Sequence, residues 1–225
     1  SELGISITAY TIAIGNIQID RSAFDKNEIY KNPLAMPDKS AAHKAFKLVS
    51  ELKKKKDSIG GIVECVVEGL PIGVGEPVFD KLDANLAKAV FSIGAVKGIE
   101  FGTGFSASSM TGSQNNDEYS INESHRIVKL TNNSGGIIGG ISDGSQIIFR
   151  AAFKPTPSIG VRQKTVNTEG EKVNIEISGR HDPVIVPRAV VVVEAMTAIT
   201  LLDYLFQSIL SSMDSIKRAL GIYKI

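Results

Sequence analysis

Arg180, His181 and Asp182 stand side by side between Gly179 and Pro183. A guanidinium, an imidazole and a carboxylate in one short stretch can bind an anion or move a proton. The glycine permits backbone conformations that other residues avoid, and the proline fixes φ and withholds an N–H. That punctuation puts the triplet in a loop or at the end of an element, where functional groups collect. On composition alone the plainer reading is favoured: a surface turn with an Arg180–Asp182 ion pair, which stabilises little.

A second candidate is Lys154-Pro155-Thr156-Pro157-Ser158-Ile159. Two prolines pin the backbone while a lysine and two hydroxyls project from it. Pre-organised donors of this kind suit phosphate at low entropic cost, and a rigid loop leaving a strand would look the same. Gly102-Thr-Gly104-Phe-Ser-Ala107 fits the loose dinucleotide pattern after a strand, but the Ser/Asn-rich stretch behind it is a poor helix. A Rossmann site is therefore not expected. His43, His125 and His181 are far apart and lack metal-ligand spacing, so no metal is expected. Lys53 to Lys56 read as the solvated end of a helix. Glu64 and Glu68 lie on a strand, one face of which can be wet. Cys65 is the only cysteine and sits inside that strand, so it reads as a buried structural thiol.

These groups must be held by a chain of 225 residues, 43% of them hydrophobic, with 25 basic and 24 acidic side chains. That is long enough for a proper core and too evenly charged for a nucleic-acid binder. One cysteine argues for a reducing compartment, hence a cytoplasmic protein. No signal peptide is visible. The apolar run Ala189 to Leu202 is interrupted by Glu194, so it reads as a core helix and no membrane partner is expected.

Strands are expected at Ile5–Ile14, from Gly60-Gly61 to Val67, at Val96–Phe101, briefly at Ile127–Leu130, and at Gln146–Phe153. A helix capped by Asp38 or Ser40 should bury Ala42, Ala45, Phe46, Val49 and Leu52. A second, from Asp80 to Ile93, should bury Leu82, Leu86, Ala89, Val90 and Ile93. A long C-terminal helix should run from about Pro187 to about Leu220, with a face from Val191 through Thr197 and Leu201 to Ile216. Gly102 to Asn122 is too long for a simple connector and reads as a functional or mobile loop. Residues 160 to 178 read as an exposed ribbon or loop. Strands and helices are interspersed without a linker, so a single α+β domain over residues 1–225 is expected.

Several stretches, taken in order, resemble the chorismate synthase family. They are Gly60-Gly-Ile-Val-Glu-Cys65, Gly69-Leu-Pro-Ile-Gly-Val-Gly-Glu-Pro-Val-Phe-Asp80 and Ala89-Val-Phe-Ser-Ile-Gly-Ala-Val-Lys-Gly-Ile-Glu100. With them go Thr131 through Gly144, Phe153-Lys-Pro-Thr-Pro-Ser158, Gly179-Arg-His-Asp-Pro183 and Pro187-Arg-Ala189. The resemblance implies a layered β-α-β sandwich, usually a homotetramer. It implies a lyase that converts 5-enolpyruvylshikimate 3-phosphate to chorismate and phosphate by 1,4-anti elimination, in the shikimate pathway to the aromatic amino acids. The reaction needs reduced FMN without net redox change. By the same resemblance, flavin contacts fall on Gly94, Ala95, Gly139, Lys154, Pro155, Thr156, Pro157, Ser158 and Arg180. Arg180 also faces the substrate's anionic groups, and Asp182 helps a flavin nitrogen act as a base. Many relatives carry asparagine or glutamine where Gly94 stands, which leaves only backbone contact there.

The family's Gly-Glu-Ser-His-Gly, Arg-Pro-x-His-Ala-Asp and Gly-Gly-Gly-Arg-Ser-Ser-Ala-Arg motifs, which carry its catalytic histidines and most phosphate-binding arginines, do not occur in these residues. The expectation is thus a C-terminal portion of such an enzyme, inactive by itself. The rivals are a non-catalytic folded fragment that binds flavin or phosphate weakly, and an unrelated flavin oxidoreductase.

Overall fold

A computed structural model describes residues 2–123, 125, 127–179 and 181–222. The opening strand is β1 (Ser6–Ile14), and β2 (Ile17–Gln18) turns back along it. After the proline-bearing loop, α1 (Lys39–Lys54) starts at Asp38. The Asp38 carboxylate accepts from the amides of Ser40 at 2.8 Å and Ala41 at 3.1 Å, and its other oxygen accepts from the Asp20 amide at 2.9 Å. Helix starts leave N–H groups without partners, and a cap of this kind stabilises by about 1 kcal/mol. Burial pushes the Asp38 carboxyl up, but the three backbone donors outweigh it and hold it below the usual range. Ala41, Ala42 and Ala45 are buried as the face of α1, whereas Phe46, expected inside, is 53% exposed. Phe46 instead lines an open cleft with Pro33, Leu34, Ala42 and His43.

Next come β3 (Gly61–Glu68), α2 (Leu82–Phe91) and β4 (Val96–Phe101). Gly102 to Asn122 is not a featureless loop. It holds a 3-10 turn at Gly104–Ser109, the short α3 (Gly112–Asn115) and β5 (Tyr119–Ile121). β5 pairs with β6 (Ile127–Lys129). A tight ribbon of β7 (Ile137–Ile138) and β8 (Ile141–Ser142) precedes β9 (Ile147–Phe153). The exposed ribbon expected after residue 160 is β10 (Gln163–Val166) paired with β11 (Lys172–Ile175). The chain closes with α4 (Val186–Leu210) and α5 (Met213–Ala219).

The main sheet has the order β2-β1-β3-β9-β4, and every neighbouring pair is antiparallel. That is an α+β arrangement, without the parallel crossovers of a dinucleotide fold. Side chains alternate across a sheet, so its register assigns its faces. Ala9, Cys65 and Phe149 are cross-strand neighbours, all fully buried, and α2 and α4 cover them. Burial pushes the Cys65 thiol up to about 12, and the group is a packed, inert thiol.

α4 buries Val186, Ala189, Val190, Val193, Thr197, Leu201 and Tyr204. The expected face holds at Thr197 and Leu201 but not at Val191, which is 62% exposed. Val190 to Val193 are all valine, and hydrophobicity alone gives no signal for which of them faces inward. Two contacts fix the choice: Glu194 Oε1 accepts from the Ala9 amide at 2.7 Å, and Tyr204 donates to the Asp80 carbonyl at 2.6 Å. The helix also stops short of Leu220. Ser211 and Ser212 interrupt it, and Ser212 caps α5, as serines near the backbone commonly do. α4 is long and apolar enough to cross a membrane, but it packs on β1, β3 and α2, leaving Val191, Ile199, Phe206 and Leu210 on an uncovered outer side.

The sheet's other face carries a row of polar and charged side chains across four strands: Tyr10, Glu64, Arg150 and Glu100 in register. The expectation of a wet Glu64 is wrong. Its side chain is 2% exposed. It accepts from Tyr10 Oη at 2.6 Å, from both terminal nitrogens of Arg21, and from Arg150 Nε at 2.8 Å. Burial pushes its carboxyl up, but the donors from Arg21 and Tyr10 prevail and hold it below the usual range.

A carboxyl with a depressed folded-state pKa stabilises above its unfolded value, and loses that contribution as pH falls below roughly 4. Glu64→Gln leaves two guanidiniums without their shared partner. It should lower unfolding free energy by about 2–4 kcal/mol at pH 7, and by less at pH 3.5, where the wild type has begun to lose the same interaction. Urea denaturation at both pH values checks this; an equal deficit at both would show that the charge on Glu64 is irrelevant.

Candidate active site

The ends of the strands decide where the candidate residues fall. β3 begins, β9 ends and β4 begins at the same end of the sheet, with Gly61 and Val96 both opposite Phe153. The segments attached there are Ser58 to Gly60, Lys154 to Gly160, and Gly94-Ala95.

The Lys154 loop is fixed along its length. The Lys154 amide donates to the Ala95 carbonyl at 2.9 Å, Ser58 Oγ donates to the Thr156 carbonyl at 2.6 Å, and the Gly160 amide donates to the Lys56 carbonyl at 3.0 Å. Lys154, Pro155 and Pro157 are exposed, and Thr156 and Ser158 are half-buried. Among the described residues, Thr156 Oγ1 is buried without a hydrogen-bond partner. A buried hydroxyl without a partner is uncommon and calls for an explanation. Ala95 has φ +72°, and Gly94 faces open space with no atom near where a Cβ would stand.

The second loop reaches the same end. The Ile59 amide donates to the Pro183 carbonyl at 2.8 Å, and the Ile177 amide donates to the Ile159 carbonyl at 3.3 Å. His181 Nε2 lies 2.9 Å from the Ile177 carbonyl, so that nitrogen carries the proton. A cleft of about 340 Å³ runs between Lys53, Lys56, Gly160, Ser178, His181 and Pro183. Asp182 pairs with Arg188, whose Nη1 donates to Oδ2 at 2.5 Å. Arg180, expected at both flavin and substrate, lies outside the described residues.

Thus Gly94, Ala95, Lys154 to Ser158 and Asp182 are brought to one end of the sheet. Gly139 is not. It sits in the β7–β8 turn at φ +62°, and its neighbour Gly140 accepts through its carbonyl from the Leu82 amide at 2.8 Å. Leu82 starts α2, while Gly94 follows the helix's end. A ten-residue helix separates the two by about 15 Å.

The sequence reading missed a polar knot on the Gly139 side. Lys129 Nζ, 5% exposed, lies 2.9 Å from Asp117 Oδ2 and 2.8 Å from Asp143 Oδ2. Asp117 also accepts from the amides of Asn133 and Ser134 and from Thr131 Oγ1. Burial pushes Asp117 up, yet these donors hold it far below the usual range. The knot ties the β5–β6 hairpin to the glycine-rich run. In the sequence Asp143-Gly144 looks like an ordinary turn, and nothing local announces a partner 14 residues away.

Comparison with known proteins bears on the family and the fold. Residues 1–206 match the family model described as chorismate synthase. The chorismate synthase of Lachnoclostridium phytofermentans is 56% identical over 217 residues, covering 96% of this chain and 59% of that protein. That of Synechocystis sp. is 47% identical over 206 residues, covering 91% of this chain and 57% of that protein. A solved structure titled as a crystal structure of chorismate synthase superposes with a TM-score of 0.76 at 30% identity, over 98% of this chain and 63% of that one. The chain therefore spans somewhat under two thirds of the length of the relatives it matches. With its fold, its ordered motifs and its matched residues in agreement, the chain belongs to the chorismate synthase family.

Proposed function

We propose that these residues form part of a chorismate synthase, a cytoplasmic lyase that eliminates phosphate from 5-enolpyruvylshikimate 3-phosphate with the help of reduced FMN. The observation that carries this reading is the meeting of the Lys154 loop, Gly94-Ala95 and the Asp182 loop at one end of the sheet. In this reading the assembled enzyme is a homotetramer.

The residues present suit a flavin. Among the described residues the buried hydroxyl of Thr156 has no hydrogen-bond partner, and a group bound against the loop would supply one. The bare backbone at Gly94 lets a flat ring approach. Lys154, Thr156 and Ser158 offer a cation and two hydroxyls on a backbone stiffened by Pro155 and Pro157, so little ordering is left to do on binding. Gly139 also faces open space at its Cβ position. By the family resemblance it would be a further flavin contact, separate from the strand end.

Reduced FMN, when bound, supplies electron density to the eliminating ring without net oxidation. The chain's residues bind and steer. Arg180 would pair with an anionic group of the substrate, for which its planar fork is suited. Asp182 would hold a proton-transfer partner in position while the ring loses its proton and the phosphate leaves with the electrons of its C–O bond.

Carried in a chain of the relatives' full length, Asp182→Asn should lower kcat by about 10²-fold or more while FMN affinity changes less than about threefold. Steady-state assays with dithionite-reduced FMN and a flavin titration check it; equal losses of affinity and rate would make Asp182 a loop anchor. Residues 1–225 alone are expected to bind reduced FMN weakly and to show no turnover. The relatives' additional length, absent from these residues, would supply acid–base groups worth about 10²–10⁴ in rate each. It would also cover the outer side of α4. Turnover by this span comparable to a full-length relative would overturn that expectation.

A further inference from the structure

We propose that Arg188 is the positioning residue for Asp182. The inference rests on the reading of Asp182 as a proton-transfer residue and deepens it. A carboxylate on a loop ordinarily samples several rotamers, which is a poor arrangement for steering a proton. Here its Oδ2 is taken by Arg188 Nη1 at 2.5 Å, and among the described residues its Oδ1 has no hydrogen bond. The carboxylate is therefore fixed at one oxygen and open at the other.

Arg188 is well placed to do the fixing. It lies in the first turn of α4, beside Pro187, which sets the backbone there. Val186, fully buried, lies against Gly61 at the start of β3. The loop carrying Asp182 is in turn held by the bond from the Ile59 amide to the Pro183 carbonyl. Both partners of the ion pair are thus referred to the same strand end as the Lys154 loop. Arg188 is 70% exposed and Asp182 33%, and ion pairs this open stabilise a fold very little. A stabilising role therefore predicts almost nothing on deletion. A positioning role predicts a loss of rate without a loss of stability.

The test uses Arg188→Ala and Arg188→Lys, alone and combined with Asp182→Asn, in a chain of the relatives' full length. Arg188→Ala should lower kcat about ten- to a hundredfold with KM and thermal midpoint nearly unchanged, and Arg188→Lys should recover part of the rate. On the Asp182→Asn background, Arg188→Ala should cost nothing further, because residues acting as a unit are not additive. A second readout needs no cofactor. In residues 1–225, exchange of the Ile59 amide, which is bonded to the Pro183 carbonyl of the Asp182 loop, should speed up in Arg188→Ala and less so in Arg188→Lys. If Asp182→Asn costs rate but Arg188→Ala leaves both kcat and exchange as in the wild type, or adds its full effect to Asp182→Asn, the inference is wrong while the reading of Asp182 stands. If Asp182→Asn itself leaves kcat intact, that reading fails and takes the inference with it.

Discussion

Two backbone approaches at the start of β3 set how closely everything else can meet. A Cβ on Gly60 would lie 2.3 Å from the Phe153 carbonyl oxygen, and one on Gly61 would lie 2.2 Å from that of Ala13. Real Cβ atoms do not come so near, and a backbone neighbour cannot swing aside as a flexible side chain can. Glycine at both positions lets β9 end against β3, lets Pro155 pack on Gly60, and lets Val186 bring the head of α4 down on Gly61. The Lys154 loop and the Asp182 loop, separate in sequence, thereby share one short segment, Lys56 to Gly60, as their common support.

Placing the site at a strand end reconciles rigidity with access. The sheet beneath it is buried between α2 and α4 on one side and crossed by the Glu64 row on the other. Glu64 joins β1, β3 and β9 through Tyr10 and Arg150 and adds the turn at Arg21. Such a fully partnered carboxylate resists shear between strands better than apolar contact alone, because each donor has a fixed direction. The loops above carry polar side chains and exposed backbone, so they can meet a ligand without moving the frame.

Much of this was legible in the sequence, for identifiable reasons. β1, β3, β4 and β9 announce themselves by β-branched alternation, and Asp38 by its place before a helical pattern. What failed was long-range or degenerate. The inward face of α4 could not be chosen within four consecutive valines; its contacts to Ala9 and Asp80 chose it. Glu64 looked wet because alternation says which residues share a face but not whether two arginines and a tyrosine will close over it. The Arg180–Asp182 pairing suggested by adjacency falls on Arg180, which lies outside the described residues; the partner the structure gives Asp182 is Arg188, six residues on and in the first turn of α4, which adjacency does not announce. Gly139 illustrates the reverse limit: motif resemblance groups it with Ala95 and Lys154, whereas the fold sets it at the opposite end of α2.

The central claim, that three separated segments form one flavin-binding end of the sheet, is tested most directly by hydrogen exchange on residues 1–225 with and without a large excess of reduced FMN. The account predicts slowed exchange together at 94–95, 154–158 and 177–183, with the strands of the main sheet unchanged. Protection confined to other segments, such as 102–122 or the β10–β11 ribbon, would contradict it.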